Sequence, residues 1–152
     1  MQQLVGDGRE TVFVQFPDPH MNSCDIPTIR RYTERFSSEL ITSSRSSTVQ
    51  AGSLWESVFP SVVPDLVSID VEGYEIEVLK GFDLVGRRPK LIIVELKNFN
   101  FMAPQSLPAV SFLYKNHYCL VAKTPLDGFF IDSLEPAFNW IPRSMLQDRS
   151  TS

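Results

Sequence analysis

The sequence predicts an α/β protein built on a mostly parallel sheet, with an antiparallel hairpin at its C-terminal end. Two short apolar runs, Leu66–Ile69 and Leu91–Val94, are each followed by an acid, Asp70 and Glu95. Such runs suit strands buried on both faces of a parallel sheet. A helical segment, Tyr74–Lys80, lies between them, and alternating units of this kind imply a right-handed crossover. Two later runs, Tyr118–Lys123 and Phe129–Ile131, flank the turn signal Pro125-Leu-Asp-Gly128 and read as the hairpin.

Taken in order, Thr11–Phe16 (TVFVQF) is β-branched and aromatic and predicts a strand, introduced by the turn Gly6-Asp7-Gly8. Pro17 to Ser23 is a loop. From Ile26 to Leu40, Ile26, Ile29, Phe36 and Leu40 keep a rough helical spacing, open to one helix or an irregular excursion. Ser43–Ser47 is a polar connector, and Thr48–Ala51 a short strand. Ser53 is placed to cap a short helix carrying Leu54, Trp55 and Val58, which Pro60 and Pro64 close. In the centre, Gly73 breaks the first buried strand. The helix that follows sets Ile76 and Leu79 on one face and stops at Gly81. After a Pro-containing loop, Val110, Leu113 and Tyr114 mark another helix that runs to Asn116. Residues 143–152 read as a frayed tail. No composition shift marks a domain boundary, so the 152 residues are expected to form a single domain large enough to bury a core.

The composition excludes several function classes. A net charge of −4 gives no electrostatic reason to expect nucleic acid or an acidic membrane as partner. Cys24 and Cys119 are isolated and read as reduced thiols. His20 and His117 stand too far apart in sequence to suggest zinc. No basic segment followed by an apolar stretch opens the chain, and no apolar run reaches the ~20 residues of a membrane helix. A cytoplasmic location is expected.

The chemistry concentrates in Asp65–Gly81 (DLVSIDVEGYEIEVLKG). In open α/β sheets ligands sit outside the carboxyl ends of the strands, the position of Asp70 and, one strand on, Glu95. A carboxylate on that rim binds an ammonium or hydroxyl group, or accepts a proton. Gly73 allows a positive φ or a close backbone approach. Glu72 and Glu75 have a plainer explanation, since acids near a helix start are stabilised by exposed N–H groups, typically by ~0.3–1 kcal/mol. Asp70 does not, because an acid ending an apolar strand is costly to bury without a partner. His20 in the loop FPDPHMNS is a weaker candidate base than an ordinary surface histidine. Phe99, Phe101, Phe129, Phe130 and Trp140 suit either an acceptor pocket or core packing.

The segments IDVEGYEIEVLKG and RPKLIIVELKN are similar to the hallmark region of FkbM-type methyltransferases. The match is dense at Ile69–Gly73, at Glu75 and at Val78–Gly81. Weaker resemblance extends over most of Gly6–Asp132. The resemblance implies a class I methyltransferase (Rossmann-like) sheet and transfer of a methyl group from S-adenosylmethionine to a hydroxyl of a sugar or natural product. By position it implies Asp70 and Val71 at the cofactor's methionyl end, with Asp70, Glu72 and Glu95 as catalytic carboxylates and Glu72 or Glu95 facing the acceptor.

The family's Gly-rich cofactor loop has no counterpart here, nor has the acid that would hold the ribose. Roughly 80 residues are lacking, at about 30 per strand–helix–strand unit. The expectation is therefore the C-terminal part of such a domain, inactive alone. Competing readings are a non-catalytic or decayed half-module, and a metal-dependent hydrolase or glycosyl transferase using Asp70, Glu72 and Glu95 as oxygen ligands. The strand Leu66–Ile69 would keep an open edge, either promoting self-association or covered by Thr11–Phe16.

Overall fold

The computed structural model describes residues 4–35 and 41–138. The chain divides into two compact units, Met1–Val62 with Asp70–Phe82, and Val63–Ile69 with Asp83–Ser152.

In the first unit, β1 (Val5–Gly6) pairs in parallel with β4 (Val49–Gln50), and β2 (Glu10–Gln15) pairs antiparallel with β3 (Thr42–Ser47). The predicted polar connector is thus half of a ribbon. Its sequence, TSSRSS, is exposed along most of its length and carries no apolar alternation, so only the backbone ladder to β2 makes it a strand. Buried Thr48 ties the ribbon to β1: its hydroxyl donates to the Arg9 carbonyl at 2.8 Å and accepts from the Gly8 amide at 3.0 Å.

Helix α1 (Ile26–Thr33) starts where Asp25 accepts the Thr28 amide at 2.8 Å, with Pro27 in the first turn. The rest of the predicted Ile26–Leu40 segment lies largely outside the described residues. Helix α2 (Ala51–Val58) begins two residues before the expected cap, Ser53, because β4 runs straight into it. Its Gly52 amide is satisfied by the Gly81 carbonyl at 2.8 Å instead. It ends before Pro60, as predicted.

Helix α3 (Glu75–Lys80) has the expected stop at Gly81, but for a different reason. Gly81 has φ −76°, in the right-handed region, so no left-handed cap is formed. A Cβ there would run into the carbonyl oxygen of Gly6 and stand 2.9 Å from the Ala51 nitrogen. Close packing, not turn geometry, demands glycine.

The second unit holds a four-stranded sheet in the order β5 (Leu66–Ile69), β6 (Leu91–Glu95), β8 (Asp127–Asp132), β7 (Tyr118–Lys123). β5 and β6 are adjacent and parallel, with Leu66 opposite Leu91 and Ile69 opposite Val94. The other two pairings are antiparallel, so the sheet is mixed and not mostly parallel. The hairpin's second strand takes the inner place. β8 buries Gly128, Phe130, Ile131 and Asp132, whereas β7 exposes Val121 and Ala122 at the edge, where a bulge interrupts it. The hairpin loop is Thr124–Leu126; the Thr124 hydroxyl accepts the Asp127 amide at 2.8 Å.

Helix α4 (Pro108–Lys115) ends at Asn116, and His117 turns the chain through φ +64° into β7. Within this unit Ile92, Val94, Val110, Leu113, Tyr118 and Phe130 are essentially inaccessible to solvent. The Tyr114 and Phe130 rings meet edge-on at 6.3 Å. The predicted cover of β5 by Thr11–Phe16 is not formed: β2 pairs with β3, and β5 is an outer strand with no strand beyond it among the described residues. The tail 143–152 lies outside the described residues. Among those residues, no helix is long and apolar enough to cross a membrane.

Candidate functional site

Beyond β5 the chain makes a short acidic turn. Asp70 is exposed, while Val71, Glu72 and Gly73 are half-buried. Glu72 has φ +53° and Gly73 φ +98°. The positive φ at Gly73 answers the sequence expectation. The left-handed Glu72 was not legible, since only Gly, Asn and Asp adopt that region readily.

Glu75 braces the turn from the helix side. Its carboxylate accepts the Gly73 amide at 2.9 Å and the Val71 amide at 3.4 Å, and the residue is buried. This fits the plainer explanation for Glu75, an acid compensating backbone donors at the helix start.

From the other side the turn meets residues that the sequence reading passed over. The Ser23 hydroxyl donates to the Glu72 carbonyl at 2.7 Å, and the Tyr32 phenol donates to Glu72 Oε2 at 2.7 Å. Gly73 faces Asp25 and Thr28 so closely that a Cβ would lie 2.8 Å from Thr28 Oγ1 and 2.9 Å from Asp25 Cβ. The one local signal was the Asp25-x-x-Thr28 helix start. Its relation to Glu72, some 40 residues on, was invisible in sequence.

In the second unit, Glu95 closes β6 and is buried, with Lys97 Nζ 3.0 Å from its Oε2. Ile69 stands opposite Val94 in the parallel pair, so Asp70 comes directly after β5, while Glu95 is the last residue of β6 and pairs with Asp127 of β8. Two strand ends carrying acids are what the sequence pattern anticipated.

The remaining candidates separate. His20 sits exposed in a short 3₁₀ turn, Pro19–Met21, capped by Asp18. The aromatic residues do not form one cluster. Phe130 is core, Phe129 is half-buried on the opposite face of β8, and Phe99 and Phe101 meet edge-on at 4.9 Å in the loop after β6. Trp140 lies outside the described residues. Neither Cys24 nor Cys119 is joined in a disulfide. Burial pushes the Cys24 thiol up from its ordinary value, which leaves it a poor nucleophile near neutrality.

The glycines near the start of the chain do not form a nucleotide cradle. Gly6 lies in β1, and Gly8, at φ +91°, leads on into another strand, β2, and not into a helix. A phosphate or adenosine cradle needs a strand, a Gly-rich turn and a helix N-terminus in succession. Among the described residues that succession is not built, so these residues do not fit the adenosine half of S-adenosylmethionine.

An α/β domain with acids at the carboxyl ends of two adjacent parallel strands has the layout of a ligand-binding α/β fold. Residues 5–120 match the family model described as the methyltransferase FkbM domain, and the chain belongs to that family, whose methyltransferases use S-adenosylmethionine and have a Rossmann-like fold. No curated protein and no solved structure matches it.

Proposed function

We propose that this chain contributes the acceptor side of an O-methyltransferase, for a hydroxyl group on a sugar or natural product. One observation carries the reading: an acidic turn, Asp70-Val-Glu72-Gly73, that leaves the outer parallel strand β5 in a left-handed conformation held by side-chain hydrogen bonds. Family membership supports methyl transfer as the reaction class. In that reaction the acceptor hydroxyl must lose its proton as the methyl group arrives. A positioned carboxylate takes it, and such assistance contributes typically 10²–10⁴-fold. Glu72 or Glu95 fills that role, and Asp70 with Val71 lies toward the methionyl end of the cofactor. S-adenosylmethionine would supply the methyl group as a sulfonium, but the described residues offer no adenosine cradle. This chain alone is therefore inactive in the proposal.

The test is titration of the isotopically labelled full chain with methyl glycosides and polyols, followed by NMR, alongside calorimetry with S-adenosylmethionine. The expected result is selective shifts at Asp70–Gly73 and Glu95, with no cofactor binding in the micromolar range. Absence of shifts with every hydroxyl compound would overturn the acceptor reading. A micromolar dissociation constant for the cofactor would overturn the incomplete site.

A further inference from the structure

We infer that Tyr32 and Ser23 are positioning residues that hold Glu72 in a single orientation for the hydroxyl acceptor, an inference that rests on the methyl-transfer reading above. Glu72 has a backbone conformation, φ +53°, that side-chain-bearing residues rarely adopt. Glycine would make the same turn without strain. Strain of this kind persists only where the surroundings over-determine it, and it concentrates at functional sites.

Here two different elements supply the restraint. Ser23 fixes the backbone. It is 1% exposed, exchanges both backbone hydrogen bonds with Val14 of β2 (2.9 and 3.1 Å), and its Oγ accepts the Asp25 amide at 2.9 Å while donating to the Glu72 carbonyl. Tyr32 fixes the side chain. Its ring stands edge-on to buried Phe16 at 5.6 Å, with the Arg31 guanidinium 5.3 Å from its centroid, and its hydroxyl reaches Glu72 Oε2 at 2.7 Å. A turn needing only its backbone held would be served by Ser23 alone. The second bond, to the carboxylate, serves the orientation of the acid. Preorganisation of this sort lets a carboxylate meet its partner without reordering at the moment of reaction.

The experiment uses the full chain with ¹³C-labelled glutamate carboxyl and tyrosine Cζ carbons. Tyr32→Phe keeps the ring against Phe16 and removes only the donor. It should move the Glu72 carboxyl resonance, leave the Glu75 and Glu95 resonances in place, and weaken the Glu72 response to methyl glycosides several-fold. Amide exchange at Gly73 should quicken on the order of tenfold, as loss of a hydrogen bond to a charged group allows. Glu72→Gln reads the same contact from the other side and should move Tyr32 Cζ. Ser23→Ala should speed Gly73 exchange while the Glu72 carboxyl resonance stays near its original position. An unmoved Glu72 carboxyl in Tyr32→Phe, or an unmoved Tyr32 Cζ in Glu72→Gln, overturns the inference. Failure of the methyl-transfer reading shows on a separate signal: the unaltered chain ignores every hydroxyl compound while Tyr32→Phe still moves Glu72.

Discussion

Arg88 grips Asp132 with a two-pronged bond, Nε to Oδ2 at 2.8 Å and Nη2 to Oδ1 at 2.7 Å, joining the approach to β6 to the end of β8. The same guanidinium donates to the carbonyls of Leu84 and Asn116 and lies 4.9 Å from the centre of the Tyr118 ring. The ion pair is largely sequestered, its side chains 19% and 6% exposed. Asp132 in turn holds Arg88's guanidinium above its ordinary basicity through that hydrogen bond.

Removing one member of this pair strands the other. Arg88→Ala is expected to cost roughly 3 kcal/mol, the lower end for breaking a buried pair. Arg88→Lys keeps the charge but loses the fork and is expected to cost roughly 1–2 kcal/mol. Urea unfolding followed by far-UV circular dichroism measures both. A loss below about 0.5 kcal/mol for Arg88→Ala would show that the pair is not structural.

Gly73 and Gly81 are required for different reasons, and alanine at either should destabilise by roughly 2 kcal/mol or more. At Gly73 both the positive φ and the wall of Thr28 and Asp25 oppose a Cβ. At Gly81 only the wall does. Thr28→Ala therefore offers partial relief to Gly73→Ala and none to Gly81→Ala. Equal rescue of both variants, measured by thermal unfolding, would contradict this assignment.

Tyr118 sets an alkaline limit. It is 1% exposed, its hydroxyl donates to the Pro89 carbonyl at 2.8 Å, and burial pushes its phenol well above the ordinary value of 10.0. A folded-state pKa raised above the unfolded one favours the native state fully below pH 10, and that contribution falls as pH rises further. Tyr118→Phe should flatten the loss of stability above pH 10. Phenolate absorbance during a pH scan should show one tyrosine ionising only with unfolding, and that step should vanish in the variant.

The outer strand β5 is short, lacks proline and lysine, and presents Leu66 at 51% exposure. Edges of this kind recruit other strands. Light scattering is expected to show concentration-dependent association that Ser68→Lys reduces. A monomer at all concentrations, with Leu66–Ile69 amides protected on both sides in hydrogen exchange, would sink this expectation.

Much of the second unit was legible because its signals are local. The run LVSI gave β5 to the residue, LIIV gave β6 to within one, and Val110, Leu113 and Tyr114 gave α4. Apolar content and periodicity decide such elements wherever they pack. The polar strand Thr42–Ser47 and the start of α2 were not legible. The first depends on a ladder to a distant strand, and the second on the Gly81 carbonyl meeting the Gly52 amide.

The sequence by itself determined which acids stand at the ends of β5 and β6, that Gly73 allows a positive φ, and to which family the pattern belongs. Only the tertiary structure decided that β8 and not β7 lies beside β6, since both are apolar and their order rests on which buries more of its surface. It alone decided that Glu72 is left-handed and held by Ser23 and Tyr32. Hydrogen bonds across 49 and 40 residues form only when the chain has already closed those loops, and no local pattern encodes a partner at that distance.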